Sequence, residues 1–277
     1  MNLKDLSVII TTFKSEDKIY TCLNSIPQKE RIFVIENSNN NKFKQELESK
    51  YSNVECILTG ENKGYSVANN LGLSKVTTKY SLVLNPDTII EKNAIENFFA
   101  TANNLPDFWL VGPNQNQEEY DNYHKDKIIE VNNLKGFAIF FNMKKFNKIF
   151  FDENFFLYFE EIDLCKKVKK EKGKIYLDPK IYISHEGGSS VNLSSKDELE
   201  KNRNWHWMWS TFYFHKKYKG FLIAFIIIFP KLFSSFFKSI FYAIIFNKKT
   251  RNIYFHRLSG IINSILGKKS WHRPRLD

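Results

Sequence analysis

Cysteine is scarce in this sequence. The 277 residues contain three cysteines, Cys22, Cys56 and Cys165, and no two of them lie close together in the chain. An odd, widely spaced set argues against a disulfide framework and a zinc site, so we expect three small core side chains. The apolar stretch near the N-terminus is only about five residues long, too short for the core of a signal peptide. We therefore expect a reduced, cytoplasmic protein.

Acidic residues are scarce in the last third of the chain. Residues 196–277 hold 4 Asp and Glu against 16 Lys and Arg, whereas residues 1–195 hold 26 against 25. The formal charge of +11 thus belongs to the C-terminal third, and such an excess favours nucleic acid, a membrane surface or a phosphorylated substrate as partner. Hydrophobic residues at 43% and charged residues at 26% are ordinary values that exclude a disordered chain.

The first half of the chain alternates short β-branched runs with longer amphipathic segments. Strands are predicted at Leu6–Thr12, Arg31–Glu36, Val54–Leu58 and Tyr80–Leu84, and helices between them at Ser15–Ser25, Lys42–Lys50 and Tyr65–Leu73. This alternation predicts βαβ units and an α/β fold with a mostly parallel sheet flanked by helices. Later strands are predicted at Phe108–Val111, Ala138–Asn142 and Lys174–Leu177, and a helix at Glu160–Lys172.

Polar residues follow the predicted parallel strands. Thr11 and Phe13 end the first strand region, Glu36 ends the second, and Asn85-Pro86-Asp87 follows the fourth. An acidic residue after a strand is usually a turn or capping residue when taken alone. Ligands of such sheets bind beyond the carboxyl ends of the strands, however, and these groups are expected to converge there.

Six ordered motifs resemble the inverting glycosyltransferases of family 2, most closely the rhamnosyltransferase-like branch. They are LSVIITTF, FVIENSN, ENKGYSVANNLGL, LVLNPDT, FFLYFEEIDLCKK and ISHEGGSS, and the similarity covers residues 4–220. The resemblance implies a Rossmann-like GT-A domain over residues 1–220, with residues 221–277 as a separate region. It further implies a nucleoside-diphosphate sugar donor, such as dTDP-rhamnose or a UDP-sugar, and transfer to a glycan acceptor.

The resemblance also implies a divalent metal site. Asn85-Pro86-Asp87 stands where the family has Asp-X-Asp, which makes Asp87 a metal ligand, and His185 completes the site. Mn²⁺ or Mg²⁺ fits, because donor phosphates and water can fill the other positions. Asn85 replaces an aspartate and is left with a ribose or water contact. A Pro-Asp turn and an ordinary loop histidine remain alternatives.

The donor nucleotide is assigned by the same resemblance. Thr11, Phe13 and Glu36 are expected to frame the nucleobase, and Gly64 and Asn69 to border the nucleotide. Phe13 replaces the usual tyrosine and keeps its stacking face, while Glu36 replaces an aspartate and is one methylene longer. Gly64 equally fits an ordinary turn glycine.

Inversion by direct displacement needs a carboxylate that takes the proton of the acceptor hydroxyl. In the family this is the second residue of an acidic pair, which here is Glu161 of Glu160-Glu161. Glu161 replaces an aspartate, which leaves the choice between Glu161 and Asp163 open. Glu160 and Gly136 are expected to face the acceptor, although Gly136 equally fits a structural turn. All three acids lie in the first turn of a predicted helix, whose dipole favours their ionised form.

The C-terminal third combines apolar and basic residues. Pro230, Lys231 and Lys238 interrupt the apolar stretch Phe221–Phe246, and its polar residues from Lys231 onwards share one narrow helical stripe. This pattern predicts an amphipathic helical extension, peripheral on the cytoplasmic face of a membrane, and thereby a polyprenyl-diphosphate-linked acceptor. A hairpin that dips into the bilayer, a dimer interface and an ordinary core are alternatives.

Aromatic residues precede this stretch in the run NWHWMW. Trp205 and Trp209 share one helical face, which fits core packing or a shelf for the acceptor. The basic tail lacks the interleaved aromatic and Arg pattern of nucleic-acid-binding proteins, so no nucleic-acid partner is expected. Two other functions remain open, a nucleotidyltransferase on a similar sheet and a non-catalytic membrane-binding module with a decayed site.

Overall fold

The computed structural model describes residues 5–114, 127–147, 150–185 and 196–274. The strands are β1 (Leu6–Thr12), β2 (Arg31–Glu36), β3 (Val54–Leu58), β4 (Tyr80–Leu84), β5 (Thr88–Ile90), β6 (Phe108–Gly112), β7 (Ile129–Glu130), β8 (Ala138–Asn142), β9 (Lys174–Leu177) and β10 (Ile183–His185). The α-helices are α1 (Glu16–Ser25), α2 (Asn41–Lys50), α3 (Gly64–Ser74), α4 (Ala94–Asn104), α5 (Glu160–Lys170), α6 (Lys196–Ile244) and α7 (Lys248–Ile265).

The chain divides into two compact units. The first takes Met1–Asp152 and Glu161–Val191, and the second takes Glu153–Glu160 and Asn192–Asp277. The predicted division after residue 220 coincides with Gly220, where the backbone leaves helical geometry inside α6 (φ 80°, ψ 169°). That break lies within the second unit.

The first unit is built on a mixed sheet with the strand order β3-β2-β1-β4-β8-β6-β9-β7. The strands β1 to β4 are parallel neighbours, and β8 lies antiparallel to both β4 and β6. Apolar clusters cover both faces of this sheet, which explains why β1 and β2 read as nearly continuous apolar runs. The predicted α/β class with a mostly parallel sheet is confirmed, as is the burial of the three free cysteines.

A second, two-stranded sheet places a histidine at the edge of the first. β10 pairs antiparallel with β5, and this register sets His185 opposite Thr88. Three-residue strands have no recognisable sequence period, because their stability comes from the partner strand. The sequence had indicated a strand-like run at Lys180–Ile183 instead, and it missed β5 and α4.

The second unit is helical. α6 changes direction at Gly220, and residues from both of its parts pack on α7 around Ile261, namely Met208, Phe212, Ala224 and Ile228. A methyl group added at Gly260 would lie 2.3 Å from the backbone oxygen of Trp205, so only glycine permits this approach of α7 to α6. Trp205 and Trp209 are 0% and 3% exposed, which confirms core packing for both.

The apolar residues of α6 point outward from this unit. Exposed side chains recur every three or four residues on one helical face, namely Leu222, Ile226, Phe229, Phe233, Phe236, Phe237, Ile240 and Ile244. The polar stripe faces α7 instead, since Ser235 is buried and Tyr242 stacks on Tyr254 at 5.7 Å. Among the described residues, this helix alone is long and apolar enough to cross a membrane, by length and composition only.

Candidate active site

The carboxyl ends of β1 and β2 are joined by a buried glutamate. Glu36 is 0% exposed, and its carboxylate accepts hydrogen bonds from the Thr12 hydroxyl (2.6 Å) and from the backbone N–H of Ser38. Burial raises the pKa of Glu36, and these two donors oppose that rise. Both oxygens of Glu36 are therefore engaged inside the protein. The predicted contact between Glu36 and a nucleobase stays a prediction, and it would have to use the lone pairs that these two bonds leave.

Thr11 and Asn69 lie together, as the prediction of a shared nucleotide site requires. The Thr11 hydroxyl donates to the Asn69 side-chain oxygen at 3.0 Å, and the Asn69 amide donates to the Tyr65 backbone oxygen at 3.0 Å. Asn69 is fully buried, whereas Thr11 and Phe13 are half-buried. Thr11 and Phe13 are thus the members of this group that a ligand can reach.

Gly64 begins α3 with a φ of +83°, a left-handed conformation that glycine adopts without a steric penalty. Its backbone oxygen accepts from the Asn37 amide at 3.2 Å, and its N–H donates to Asn62 Oδ1 at 3.1 Å. Asn37 Oδ1 also accepts from the Thr59 hydroxyl at 2.9 Å. This network fits both a turn glycine and a glycine that borders a nucleotide, and it shows that Asn37, one of the polar residues after β2, organises the loop before α3.

Asp87 and His185 meet beyond the end of β4. Asp87 Oδ1 lies 3.3 Å from His185 Nε2, and the Asn85 amide nitrogen lies 3.4 Å from the same ring nitrogen. The Asp87 side chain is 1% exposed and that of His185 is 26% exposed. Within the described residues, Asp87 Oδ1 is buried without a hydrogen-bond partner. The structure therefore brings Asp87 and His185, the two residues assigned to the metal, together with Asn85 beside them, although His185 follows Asp87 by 98 positions in the chain.

This donor set fits a divalent cation. A buried carboxylate oxygen without a hydrogen bond retains lone pairs for a cation, and an imidazole nitrogen is an accepted ligand of Mn²⁺. No group of three or more His, Cys, Asp and Glu side chains with metal-binding geometry occurs in the parts of the chain that are described. Two protein ligands suffice for Mg²⁺ or Mn²⁺ when phosphates and water complete the shell. The segment Glu186–Ser190, predicted to wrap the diphosphate, lies outside the described residues.

The residues just before β8 contact His185, which pairs with Asp87, and also Glu161 at the start of α5. Phe137 stacks on the His185 ring at 4.8 Å with an interplanar angle of 7°, and its backbone oxygen accepts from the Asn85 N–H at 2.9 Å. Its neighbour Gly136 packs against Glu161, since a methyl group added there would lie 3.5 Å from Glu161 Cβ. Tyr65 fixes this turn by donating from its hydroxyl to the Gly136 oxygen at 2.7 Å. In the sequence, Phe137 carried only a weak signal within the segment Lys135-Gly136-Phe137, and Tyr65 carried none beyond its place in the motif ENKGYSVANNLGL.

The acids of α5 differ in exposure. The helix begins at Glu160 as predicted; Glu161 is half-buried, whereas Glu160 and Asp163 are 7% and 1% exposed. Burial raises the pKa of Glu161, although the backbone N–H groups of Glu161 and Ile162 donate to it and oppose the rise. The N–H groups at the helix end thus favour the ionised form, as predicted, and desolvation acts against them with the larger effect.

Comparison with known proteins agrees with this geometry. The model of the family "Glycosyl transferase family 2" matches residues 7–165. The low-salt glycan biosynthesis hexosyltransferase Agl10 of Haloferax volcanii is 26% identical over 196 residues, which cover 61% of this chain and 63% of that protein. The chain thus spans less than two thirds of the length of this curated relative.

Solved structures share the fold. The mannosyltransferase PcManGT from Pyrobaculum calidifontis, in complex with GDP-Man and Mn²⁺, has a TM-score of 0.61 at 11% identity, covering 96% of this chain and 88% of that one. TarS 1–349 of S. aureus, in complex with UDP-GlcNAc, has a TM-score of 0.54 at 16% identity, covering 95% and 92%. A longer TarS structure is covered over 39% of its chain, with a TM-score of 0.54 at 17% identity and 72% of this chain covered. Because the family model matches more than half of its residues, this chain belongs to glycosyltransferase family 2.

Proposed function

We propose that this protein is a metal-dependent, inverting glycosyltransferase of the hexosyltransferase type. It transfers a sugar from a nucleoside-diphosphate sugar to a hydroxyl group of a glycan acceptor in glycan biosynthesis. The observation that carries the proposal is one continuous chain of contacts. It runs from the buried, unbonded oxygen of Asp87 through His185 and Phe137 to Gly136 and Glu161.

Asp87 and His185 would hold a Mn²⁺ or Mg²⁺ ion. Such an ion, when bound, neutralises the donor diphosphate and stabilises the departing phosphate. Phe137 contributes by stacking on the His185 ring, which limits its rotation and keeps Nε2 directed at Asp87. Asn85 brings a neutral amide to the same place, where a ribose hydroxyl or a water molecule is a suitable partner.

Glu161 is proposed as the general base. It is the accessible member of the Glu161 and Asp163 pair, and a base has to reach the acceptor hydroxyl. Burial raises the pKa of Glu161, which makes the ionised carboxylate a stronger base towards the acceptor hydroxyl. Glu161 takes the hydroxyl proton as the acceptor oxygen attacks the anomeric carbon from the face opposite the diphosphate. Glu160 and Gly136 are proposed to face the acceptor.

The donor nucleotide is proposed to lie over the ends of β1 and β2. Thr11 and Phe13 are accessible there, and Phe13 offers a ring face to the nucleobase. Glu36, Asn69 and Gly64 support this surface from below through their internal hydrogen bonds. The identity of the nucleobase then depends on contacts that Thr11 and Phe13 make, and less on the carboxylate of Glu36.

An Asp87→Asn variant tests the metal assignment. It keeps the shape of the side chain and removes its charge, so donor binding in the presence of Mn²⁺ and sugar transfer should both fall by at least about 100-fold. The matched control is Asp107→Asn, which neutralises an exposed aspartate at the amino end of β6. Release of nucleoside diphosphate is the readout, and release of pyrophosphate would instead show a nucleotidyltransferase. Transfer at the wild-type rate by Asp87→Asn would refute the proposal.

The second unit is proposed to bind the cytoplasmic face of a membrane. After Gly220, the outward face of α6 is apolar. Exposed lysines border this face at both ends, namely Lys216, Lys217, Lys219 and Lys248. Apolar residues exposed on this scale are poorly compatible with water, and lysines beside them match an anionic lipid surface. This placement favours a lipid-linked glycan as the acceptor.

Sedimentation with liposomes tests the membrane proposal. The full protein should bind vesicles with anionic lipids at low salt, and a Phe233→Ser, Phe237→Ser double variant should bind much more weakly. Tyr182→Ser, which removes a half-exposed aromatic ring from the first unit, serves as the control and should bind normally. Equal binding by both variants, or no binding by the wild type, would contradict the proposal.

A further inference from the structure

The residues just before the acidic helix belong to the helical second unit. Phe155–Phe159, which we call the pre-base segment, leads directly into α5, and Glu161 follows it by two positions. Every residue of this segment contacts α6. Phe155 and Phe156 pack on Tyr213 and His206 at 4.9 and 4.4 Å between ring centroids.

The remaining contacts continue in the same order along the segment. The backbone oxygen of Leu157 accepts from the Ser210 hydroxyl at 2.9 Å. Tyr158 meets the Trp207 ring edge to face at 5.1 Å, and Phe159 meets the same ring at 5.4 Å. A loop fixed at five consecutive residues has little freedom of its own, so its geometry is set by α6.

The last two residues of this segment have an unusual backbone. Tyr158 and Phe159 have φ values of +69° and +71°. Aromatic residues rarely adopt this left-handed conformation, because the Cβ atom crowds the backbone. Two such residues in succession persist only where surrounding contacts hold them. Their side chains share one partner, the ring of Trp207.

Trp207 lies at the surface of the second unit. It is 42% exposed, unlike the buried Trp205 and Trp209 on either side of it. A large apolar ring that remains half exposed contributes little to the core, so its contacts with Tyr158 and Phe159 are its main structural role. The run NWHWMW, which the proposed chemistry does not use, thereby gains an explanation.

We propose that Trp207 is a positioning residue for the base. Its indole holds Tyr158 and Phe159 in the left-handed conformation that leads into the first turn of α5, where Glu161 is the second residue. The proposal rests on Glu161 as the base in the proposed function. A catalytic group displaced by about 1 Å loses on the order of 100-fold in rate, so a conformational hold of this kind has a measurable effect on turnover.

Steady-state kinetics of the full protein test this role. Trp207→Ala should lower kcat by about 10- to 100-fold and leave KM for donor and acceptor little changed, since the ring does not bind substrate. Trp207→Phe keeps an aromatic partner and should retain most of the activity. The matched control is Trp271→Ala, which removes a half-exposed tryptophan of the same unit that contacts Trp205 and His272. It should leave kcat unchanged.

A rescue variant separates positioning from general destabilisation. Glycine adopts positive φ without crowding, so Tyr158→Gly added to Trp207→Ala should recover part of the lost kcat. A merely unstable protein would lose further activity instead. Wild-type kcat in Trp207→Ala, no recovery in the double variant, or a raised acceptor KM with unchanged kcat would each overturn the proposal. Glu161→Gln is measured in parallel: transfer at the normal rate by that variant would refute the base assignment itself.

Discussion

Glu30 is a buried carboxyl group that should make the protein less stable as pH rises. It lies between α1 and β2, is 0% exposed, and neither of its side-chain oxygens has a hydrogen-bond partner among the described residues. Burial raises the pKa of Glu30 from an ordinary 4.5 to about 7; Lys29 opposes this rise and Glu96 adds to it. Glu30 precedes the amino end of β2, whereas Glu36 and the proposed active site lie at the carboxyl end of that strand, so it has no role there.

The size of the effect follows from proton linkage. Between pH 4.5 and about 7 the folded protein holds a proton on Glu30 that the unfolded chain has released. The free energy of unfolding therefore falls as pH rises through this interval and is level above it. At about 1.36 kcal/mol for each pH unit, the loss approaches about 3 kcal/mol, a large part of the 5–15 kcal/mol that is typical of a folded protein.

A Glu30→Gln variant tests this reasoning, because glutamine has the shape of the protonated acid and cannot ionise. We expect urea midpoints of the two proteins to approach each other near pH 5 and to separate progressively up to pH 8, with the variant more stable by about 3 kcal/mol. Glu171→Gln removes an exposed carboxylate near the end of α5 and should run parallel to the wild type. Parallel curves for wild type and Glu30→Gln from pH 5 to pH 8 would show that Glu30 ionises normally and would refute the argument.

Two further predictions concern the second unit. Burial lowers the pKa of His206 from 6.5 to about 3, and Arg273 and His272 add smaller decreases. The hydrogen bond between His206 and the His272 backbone oxygen opposes this decrease. The unfolded chain therefore binds the extra proton first as pH falls below 6.5, and stability should fall by at most about 5 kcal/mol towards pH 3. Tryptophan fluorescence measures this loss of stability. A His206→Gln variant should not show the loss, which would identify His206 as its cause. The same acid transition in variant and wild type would exclude His206 as the cause. Gly260→Ala should lower the free energy of unfolding, measured in urea, by about 1–3 kcal/mol, because its methyl group meets the Trp205 backbone. An unchanged urea midpoint would mean that α7 moves away from α6 freely.

Local sequence patterns predicted the framework of the first unit well. The bounds of β1 to β4 agree with the prediction, because a buried parallel strand is a short apolar run whose ends are marked by polar turn residues. The placement of Thr11, Asn85 and Asp87 beyond the carboxyl ends of parallel strands followed from strand direction, whereas Asn69 was assigned by the family resemblance. Long-range pairing was less accessible. The contact of Asp87 with His185 depends on β10 pairing with β5, and three-residue strands carry no pattern of their own.

Exposure was the property that the sequence predicted least well. Glu36 and Glu161 both follow the expected motifs, yet one is fully buried and the other accessible. The polar stripe of α6 was predicted from the sequence, but not its neighbour: Ser235 and Tyr242 face α7, and the phenylalanines face outward. A helical period shows that two faces differ, but only the neighbouring helix determines which face is covered.

The sequence by itself therefore determined the fold class, the family and the edge of the sheet where the polar residues gather. The fold class and this edge depend on residue type and on spacings of two to four positions, which local backbone geometry converts directly into strands and helices, whereas the family followed from the resemblance of six ordered motifs. The tertiary structure alone decided which oxygen of Asp87 has no hydrogen bond within the described residues, how far Glu161 is buried, and that Trp207 contacts Tyr158 and Phe159. Those properties depend on atoms that are distant in the chain, and desolvation and packing arise only once folding has brought them together.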